Sequence, residues 1–143
     1  MPVVLDTDRL SILFQENQPE CDRLRARLRA LPPDDVATTI ICFQKQVQGW
    51  LAFAARAKTD AQILLVYSKL DSMWRWFCKM NVLAFDDAAL AQFHSLRPAC
   101  RRLGTLDLRI ASVSIATDST LLSRNLRDFR RVPGLRVEDW TRE

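Results

Sequence analysis

Two aspartates close the first apolar run of this chain, Val3-Val4-Leu5-Asp6-Thr7-Asp8. Two more follow about a hundred residues on, Asp107 in Gly104-Thr105-Leu106-Asp107 and Asp128 in Asn125-Leu126-Arg127-Asp128. A carboxylate at the C-terminal end of a buried strand points into the crevice where open α/β sheets bind ligands, and several carboxylates gathered there repel one another unless a cation joins them. Mg²⁺ and Mn²⁺ take hard oxygen ligands, and such an ion activates water and neutralises charge developing on a phosphodiester. The acids therefore point to metal-assisted hydrolysis. The alternative is structural: Asp8 and Asp107 cap helices and Asp128 is a surface acid.

Bringing these acids together is a task for strands and helices, and the apolar pattern supplies both. Short β-branched or apolar runs over Val3–Asp6, Val36–Ile41, Val82–Phe85, Thr120–Ser123 and Leu135–Val137 read as strands, the last a small edge strand. Between them, helical periodicity marks 8–15 with Asp8 as N-cap, Pro19–Leu31, Cys42–Ala57, Thr59–Met80, a helix opened by Asp86-Asp87, and Thr105–Ala116; Asn125–Arg131 is a turn or short helix. Strands alternating with helices predict a mostly parallel sheet of four or five strands with right-handed crossovers. If the first and fourth strands are neighbours, Asp6, Asp107 and Asp128 converge at a switch point. The four arginines of Pro19–Leu31 alternate over two faces and read as solvated, the aromatic stripes with Trp50 and Trp74 as core or a protein interface, and the single histidine, His94, as a surface residue.

With 143 residues and no linker or low-complexity segment, the chain reads as one domain, 1–143. No apolar run reaches the roughly 18 to 20 residues that span a bilayer and no signal-peptide pattern opens the chain, so a cytoplasmic location without membrane attachment is expected. Cys21, Cys42, Cys78 and Cys100 have neither zinc nor redox spacing and are expected as buried reduced thiols. Of the net charge of +4, most arises in residues 101–143, where nine arginines face six acids; that end suits phosphate contacts.

The stretches LDTDRLS at 5–11, GTLDLRIAS at 104–112 and LLSRNLRDFRRVPGLRVEDW at 121–140 closely resemble the PIN-domain family, specifically the toxin ribonucleases of VapBC-type toxin-antitoxin systems, in the order expected from end to end. The resemblance implies a three-layer α/β/α domain, an acidic site binding Mg²⁺ or Mn²⁺, endonucleolytic RNA cleavage, a cognate antitoxin whose tail enters the site, and a homodimer. It implies Asp6, Asp107 and Asp128 as catalytic metal ligands, with Ser123 and Asn125 supporting and Asp8 secondary.

Two positions depart from the family. Counting back four from Gly49, where the family carries a Glu, gives Lys45, preceded by Gln44. A lysine among aspartates replaces a ligand with a competing cation. Lys45 is expected either to pair with Asp6 or Asp107, giving a feeble or inactive nuclease, or to point outward while Gln44 offers a weak oxygen ligand. Arg9 stands where relatives often carry His. The leading expectation is a metal-dependent endoribonuclease toxin weakened by Lys45; the alternative is a catalytically impaired PIN-fold module that binds antitoxin or RNA without cutting. With only 3 Gly and no phosphate-cradling loop, a nucleotide-binding protein of another kind is disfavoured.

Overall fold

The computed structural model describes residues 2–8 and 19–142. The helix expected over 8–15, beyond Asp8 itself, and Arg9 lie outside the described residues. Strand β1 (Val3–Leu5) is followed by helix α1 (Pro19–Arg29), a 3-10 turn at Pro33–Asp35, β2 (Val36–Thr39), α2 (Ile40–Arg56) and α3 (Asp60–Lys79). Then come β3 (Asn81–Leu83), α4 (Asp87–Leu96), a second 3-10 turn (Arg97–Ala99), α5 (Thr105–Ala116), β4 (Thr120–Leu122), the one-turn α6 (Leu126–Phe129) and β5 (Arg136–Glu138). The five strands form one parallel sheet in the order β3-β2-β1-β4-β5. Because parallel crossovers are right-handed, connections running outward from β1 to β3 and those returning to β4 and β5 cover opposite faces. The fold is thus the expected three-layer α/β/α arrangement, with β5 at an edge.

The first and fourth strands are neighbours, Val3 opposite Thr120 and Leu5 opposite Leu122. Flanked by β2 and β4 and covered on both faces, β1 is the most enclosed strand; Val4, Leu5, Leu121 and Leu122 are fully buried, packed with Leu24, Leu108, Ile110 and Phe129. All-parallel strands read as continuous apolar runs for this reason.

Helix starts are set by caps. The Thr59 side chain accepts from the Gln62 amide at 3.1 Å while the Gln62 side chain accepts from the Thr59 amide at 3.2 Å, a reciprocal capping box that opens α3 one residue later than the periodicity suggested. Asp86 accepts from the Ala89 amide at 3.0 Å and opens α4. Thr39, expected inside the second strand, instead ends it: its side-chain oxygen accepts from the Cys42 amide at 3.1 Å, so the helix begins at Ile40 and not at Cys42. Removing this cap by Thr39→Ala is expected to cost about 1 kcal/mol, lowering the thermal midpoint by roughly 3 °C. Equal thermal midpoints for the two proteins in a melting experiment would show that the cap contributes nothing.

Other expectations needed revision. Three cysteines are buried and unbridged, but Cys78 is exposed, because its place on α3 turns it away from Met73 and Phe77 on the buried stripe. The α1 arginines are not simply solvated: the Arg27 guanidinium stacks 4.4 Å above the Trp140 ring and Arg23 donates to the Thr141 carbonyl at 3.2 Å, tying the chain's end to this helix. Trp50 packs against the core, whereas Trp74 is 58% exposed beside Leu64 and Tyr67, so α3 keeps an uncovered apolar face. Among the described residues, no helix is long and apolar enough to cross a membrane.

Candidate functional site

Asp6 leaves the C-terminal end of β1 at the junction with β4, its amide donating to the Leu122 carbonyl at 3.0 Å. The β1–β4 boundary is where the sheet's connections reverse direction, the crevice that binds ligands in open α/β sheets. Asp6 is only 5% exposed. The Thr7 amide donates to its Oδ1 at 2.7 Å and the Ser123 hydroxyl to its Oδ2 at 2.7 Å. Burial and then the negative charge of Asp8 push its pKa up; the hydrogen bonds from Ser123 and Thr7 and the charge of Lys45 pull it part of the way back, and it settles at about 6.

Asp8 reaches across to the segment that follows β4. Its Oδ2 accepts from the Arg124 amide at 3.0 Å and from the Ser123 hydroxyl at 3.4 Å, so the segments after β1 and β4 are stitched together by Ser123 and two aspartates. The Asn125 amide donates to Ser123 Oγ at 3.0 Å, and the Asn125 side chain donates to Asp128 Oδ2 at 3.1 Å. The two supporting residues named from the sequence thus connect Asp6 to Asp128 by a chain of hydrogen bonds.

Lys45 points inward. Its Nζ donates to Asp107 Oδ1 at 2.8 Å, linking α2 to the first turn of α5 with both side chains about a quarter to a third exposed. Burial alone lowers the lysine's pKa, but the Asp107 hydrogen bond and charge, with Asp6 behind, more than reverse this, and the net direction is upward. The ammonium is therefore fully charged at neutral pH. Gln44 is half-buried, and it is Gln46, two residues on, whose side chain reaches the Thr7 carbonyl, at 3.4 Å. Cys42 lies close by, but burial and then Asp6 push its thiol up, keeping it protonated and a poor nucleophile.

These side chains can hold a proton near neutrality at Asp6 and present a positive charge at Lys45. They offer hard oxygens to a divalent ion, yet one oxygen of Asp107 already carries the lysine, and among the described residues no three His, Cys, Asp or Glu side chains form a group able to hold a metal. As arranged, the residues do not fit a resident divalent ion. Asp128 is exposed and lines a cavity of its own, bounded also by Arg101, Arg102 and Arg131.

Beside Lys45 lies an open groove of about 370 Å³ lined by Thr7, Lys45, Gln46, Gly49, Trp50, Phe53 and Arg56, with the Trp50 and Phe53 rings edge to face at 5.9 Å. The sequence reading assigned this tryptophan no chemistry. The signal was present all the same, since Lys45, Gly49, Phe53 and Arg56 recur at helical spacing on one face of α2. His94, as expected, is exposed, its ring 5.7 Å from Phe93.

No family model matches the chain. Among curated proteins, it is 31% identical over 77 residues to the ribonuclease VapC2 of Rickettsia felis, covering 51% of this chain and 55% of that protein. It is 33% identical over 66 residues to the tRNA(fMet)-specific endonuclease VapC of Salmonella typhimurium, covering 43% and 50%. These aligned stretches span about half the length of the two relatives. In structure, a chain of the Rickettsia felis VapBC2 complex bound to a promoter DNA fragment superposes with a TM-score of 0.74 at 23% identity, over 98% of this chain and 99% of that one. The VapC-type PIN-domain resemblance read from the sequence is borne out in sequence kinship and in fold.

Proposed function

We propose that this chain, kin to VapC ribonucleases and built on the fold of a VapBC component, is the ribonuclease toxin of a toxin-antitoxin pair, cutting RNA internally in the cytoplasm. The observation that carries the reading is Asp6: a buried carboxyl at the sheet's switch point, with a pKa of about 6, flanked by a charged lysine and an open groove. A general base works best with a pKa near the operating pH. In this reading Asp6 takes a proton from the water that attacks phosphorus, the bond from phosphorus to the leaving ribose oxygen breaks, and solvent returns a proton to that oxygen. The Lys45 ammonium lies across from the phosphodiester charge, and Trp50 and Phe53 give bases a surface to stack on. A bound Mg²⁺ or Mn²⁺ would supply water activation and charge neutralisation, and it enters this site only with Lys45 displaced from Asp107.

The same reading gives the exposed apolar face of α3, with Leu64 71%, Tyr67 65% and Trp74 58% exposed, to protein partners: a cognate antitoxin and a second copy of the chain. A second reading rests on the Lys45–Asp107 bond alone, which makes the chain a binding module that holds RNA or antitoxin without cutting. End-labelled single-stranded RNA incubated with the purified chain in EDTA, Mg²⁺ and Mn²⁺ separates the two. Discrete internal fragments are expected, and intact RNA in all three conditions would leave the binding module standing.

A further inference from the structure

Outside the acidic centre, the turn from α4 to α5 and the segment after α6 enclose a cavity of about 330 Å³ lined by Arg101, Arg102 and Arg131 over Cys100, Leu103 and Val132. Its floor is apolar and buried, these three residues being 7%, 8% and 3% exposed. The three arginines are exposed, and among the described residues no hydrogen bond or ion pair engages their guanidinium groups. Asp128, the one acid on the rim, is held by Asn125 instead. The turn itself is pinned: the Arg97 guanidinium donates to the Leu103 carbonyl at 2.9 Å and to the Thr105 hydroxyl at 3.4 Å, and the Leu103 amide donates to the Cys100 carbonyl at 3.2 Å. One arginine thus shapes the loop, and among the described residues the other three guanidinium groups have no partner.

We propose that this cavity is a nucleotide subsite: its arginines hold the backbone phosphates of single-stranded RNA and its apolar floor takes a ribose or base, at a position separate from the scissile phosphate. The choice of RNA rests on the ribonuclease reading above. Three guanidinium forks against one carboxylate leave an excess of two positive charges, which suits phosphate bound through two nitrogens at once. A volume near 330 Å³ over an apolar floor matches the size of a small-ligand pocket better than a flat charged face would. The cavity is also tied to the acidic centre. Asp128 on its rim is bonded to Asn125, Asn125 to Ser123 and Ser123 to Asp6, so the arginines are held in fixed relation to the buried carboxyl. An acidic peptide would meet the same arginines, but it has no use for the apolar floor.

The test measures binding apart from cleavage. Fluorescence anisotropy of a labelled single-stranded RNA, in EDTA and at several salt concentrations, compares the natural chain with the triple variant Arg101→Gln, Arg102→Gln, Arg131→Gln. A control carries Arg29→Gln, Lys58→Gln and Lys79→Gln, the same charge change at exposed positions outside the cavity. The cavity variant is expected to bind at least ~10-fold more weakly at 0.1 M salt, with the slope of log affinity against log salt reduced by about 2, as for three lost single-strand phosphate contacts. The control should lose much less. Equal affinity and slope for the cavity variant and the natural chain would overturn the subsite, and so would an equal loss in the control. Loss of binding to a poly-glutamate peptide with RNA binding untouched would overturn it too, in favour of a protein ligand. Natural-chain RNA binding that depends on these arginines without any cleavage would support the subsite while ending the ribonuclease reading; cleavage with arginine-independent binding would do the reverse.

Discussion

Lys45→Glu is expected to turn a site that holds Mn²⁺ poorly into one that holds it about 100-fold more tightly. The ammonium lies 2.8 Å from Asp107 and close enough to Asp6 to act on its charge. A unit charge about 4 Å from a second, at an effective dielectric near 20, contributes roughly 4 kcal/mol, and the substitution changes the sign of one charge beside the ligands. With side chains 30% and 26% exposed, solvent screens much of that, and a net gain of about 3 kcal/mol, two decades in affinity, is a fair expectation. Without metal the variant places three carboxylates together and should melt earlier than the natural protein. Saturating Mn²⁺ should then raise its midpoint by several degrees, since a ligand at 100 times its Kd adds about 2.7 kcal/mol of stability. Calorimetric titration of both proteins decides. Equal Mn²⁺ affinity in the two would mean that Lys45 does not compete for the site.

Asp6→Asn should remove cleavage and stabilise the fold at once. The carboxyl is raised from 3.8 to about 6. The folded state therefore binds more protons than the unfolded chain between about pH 4 and 6, so Asp6 makes stability fall as pH rises through that window and holds it down above it. The displacement corresponds to roughly 3 kcal/mol at neutral pH. Asparagine has no charge to bury and can still meet the Ser123 hydroxyl, so a gain of about 1–2 kcal/mol, or roughly 3–6 °C in midpoint, is expected at pH 7.5, vanishing near pH 4. Activity should drop by about 10²–10⁴-fold as the proton acceptor is lost. Melting curves across pH 4–8 and the labelled-RNA assay read both effects. An unchanged cleavage rate would remove Asp6 from the chemistry, and a lower midpoint at pH 7.5 would show that its ionised form is stabilised by contacts stronger than the burial opposing them.

Local chemistry explains which parts of this were legible beforehand. Thr105–Ala116 was read to the residue, since Gly104 before it and the apolar spacing within it leave little freedom, and Asp86 was found as a helix start because a cap is a short-range device. The pairing of β1 with β4 could only be supposed, yet buried apolar runs made it the natural arrangement. What stayed illegible depends on which of several allowed partners a side chain meets. Lys45 was left between Asp6, Asp107 and solvent, and only the packing of α2 against α5 selects Asp107. Thr39 reads as a strand residue by its β-branching, but its hydroxyl wins as a cap. Asp128 shares the family's spacing and still ends on the rim of a different cavity, because the one-turn α6 carries it past Asn125.

Asp6 directly follows the first strand, whereas Ser123, the residue that holds it, lies 117 positions later. The carboxyl and its partner are thus far apart along the chain, and only the pairing of β1 with β4 brings them together. Until β4 pairs with β1 there is no switch point, no stitched pair of aspartates and no tie from the arginine cavity to Asp6. Long-range pairing of this kind closes late. Any change that unpairs β4 from β1 therefore leaves every acid in place and the centre they form absent, so this one strand contact acts as the switch that arms the site.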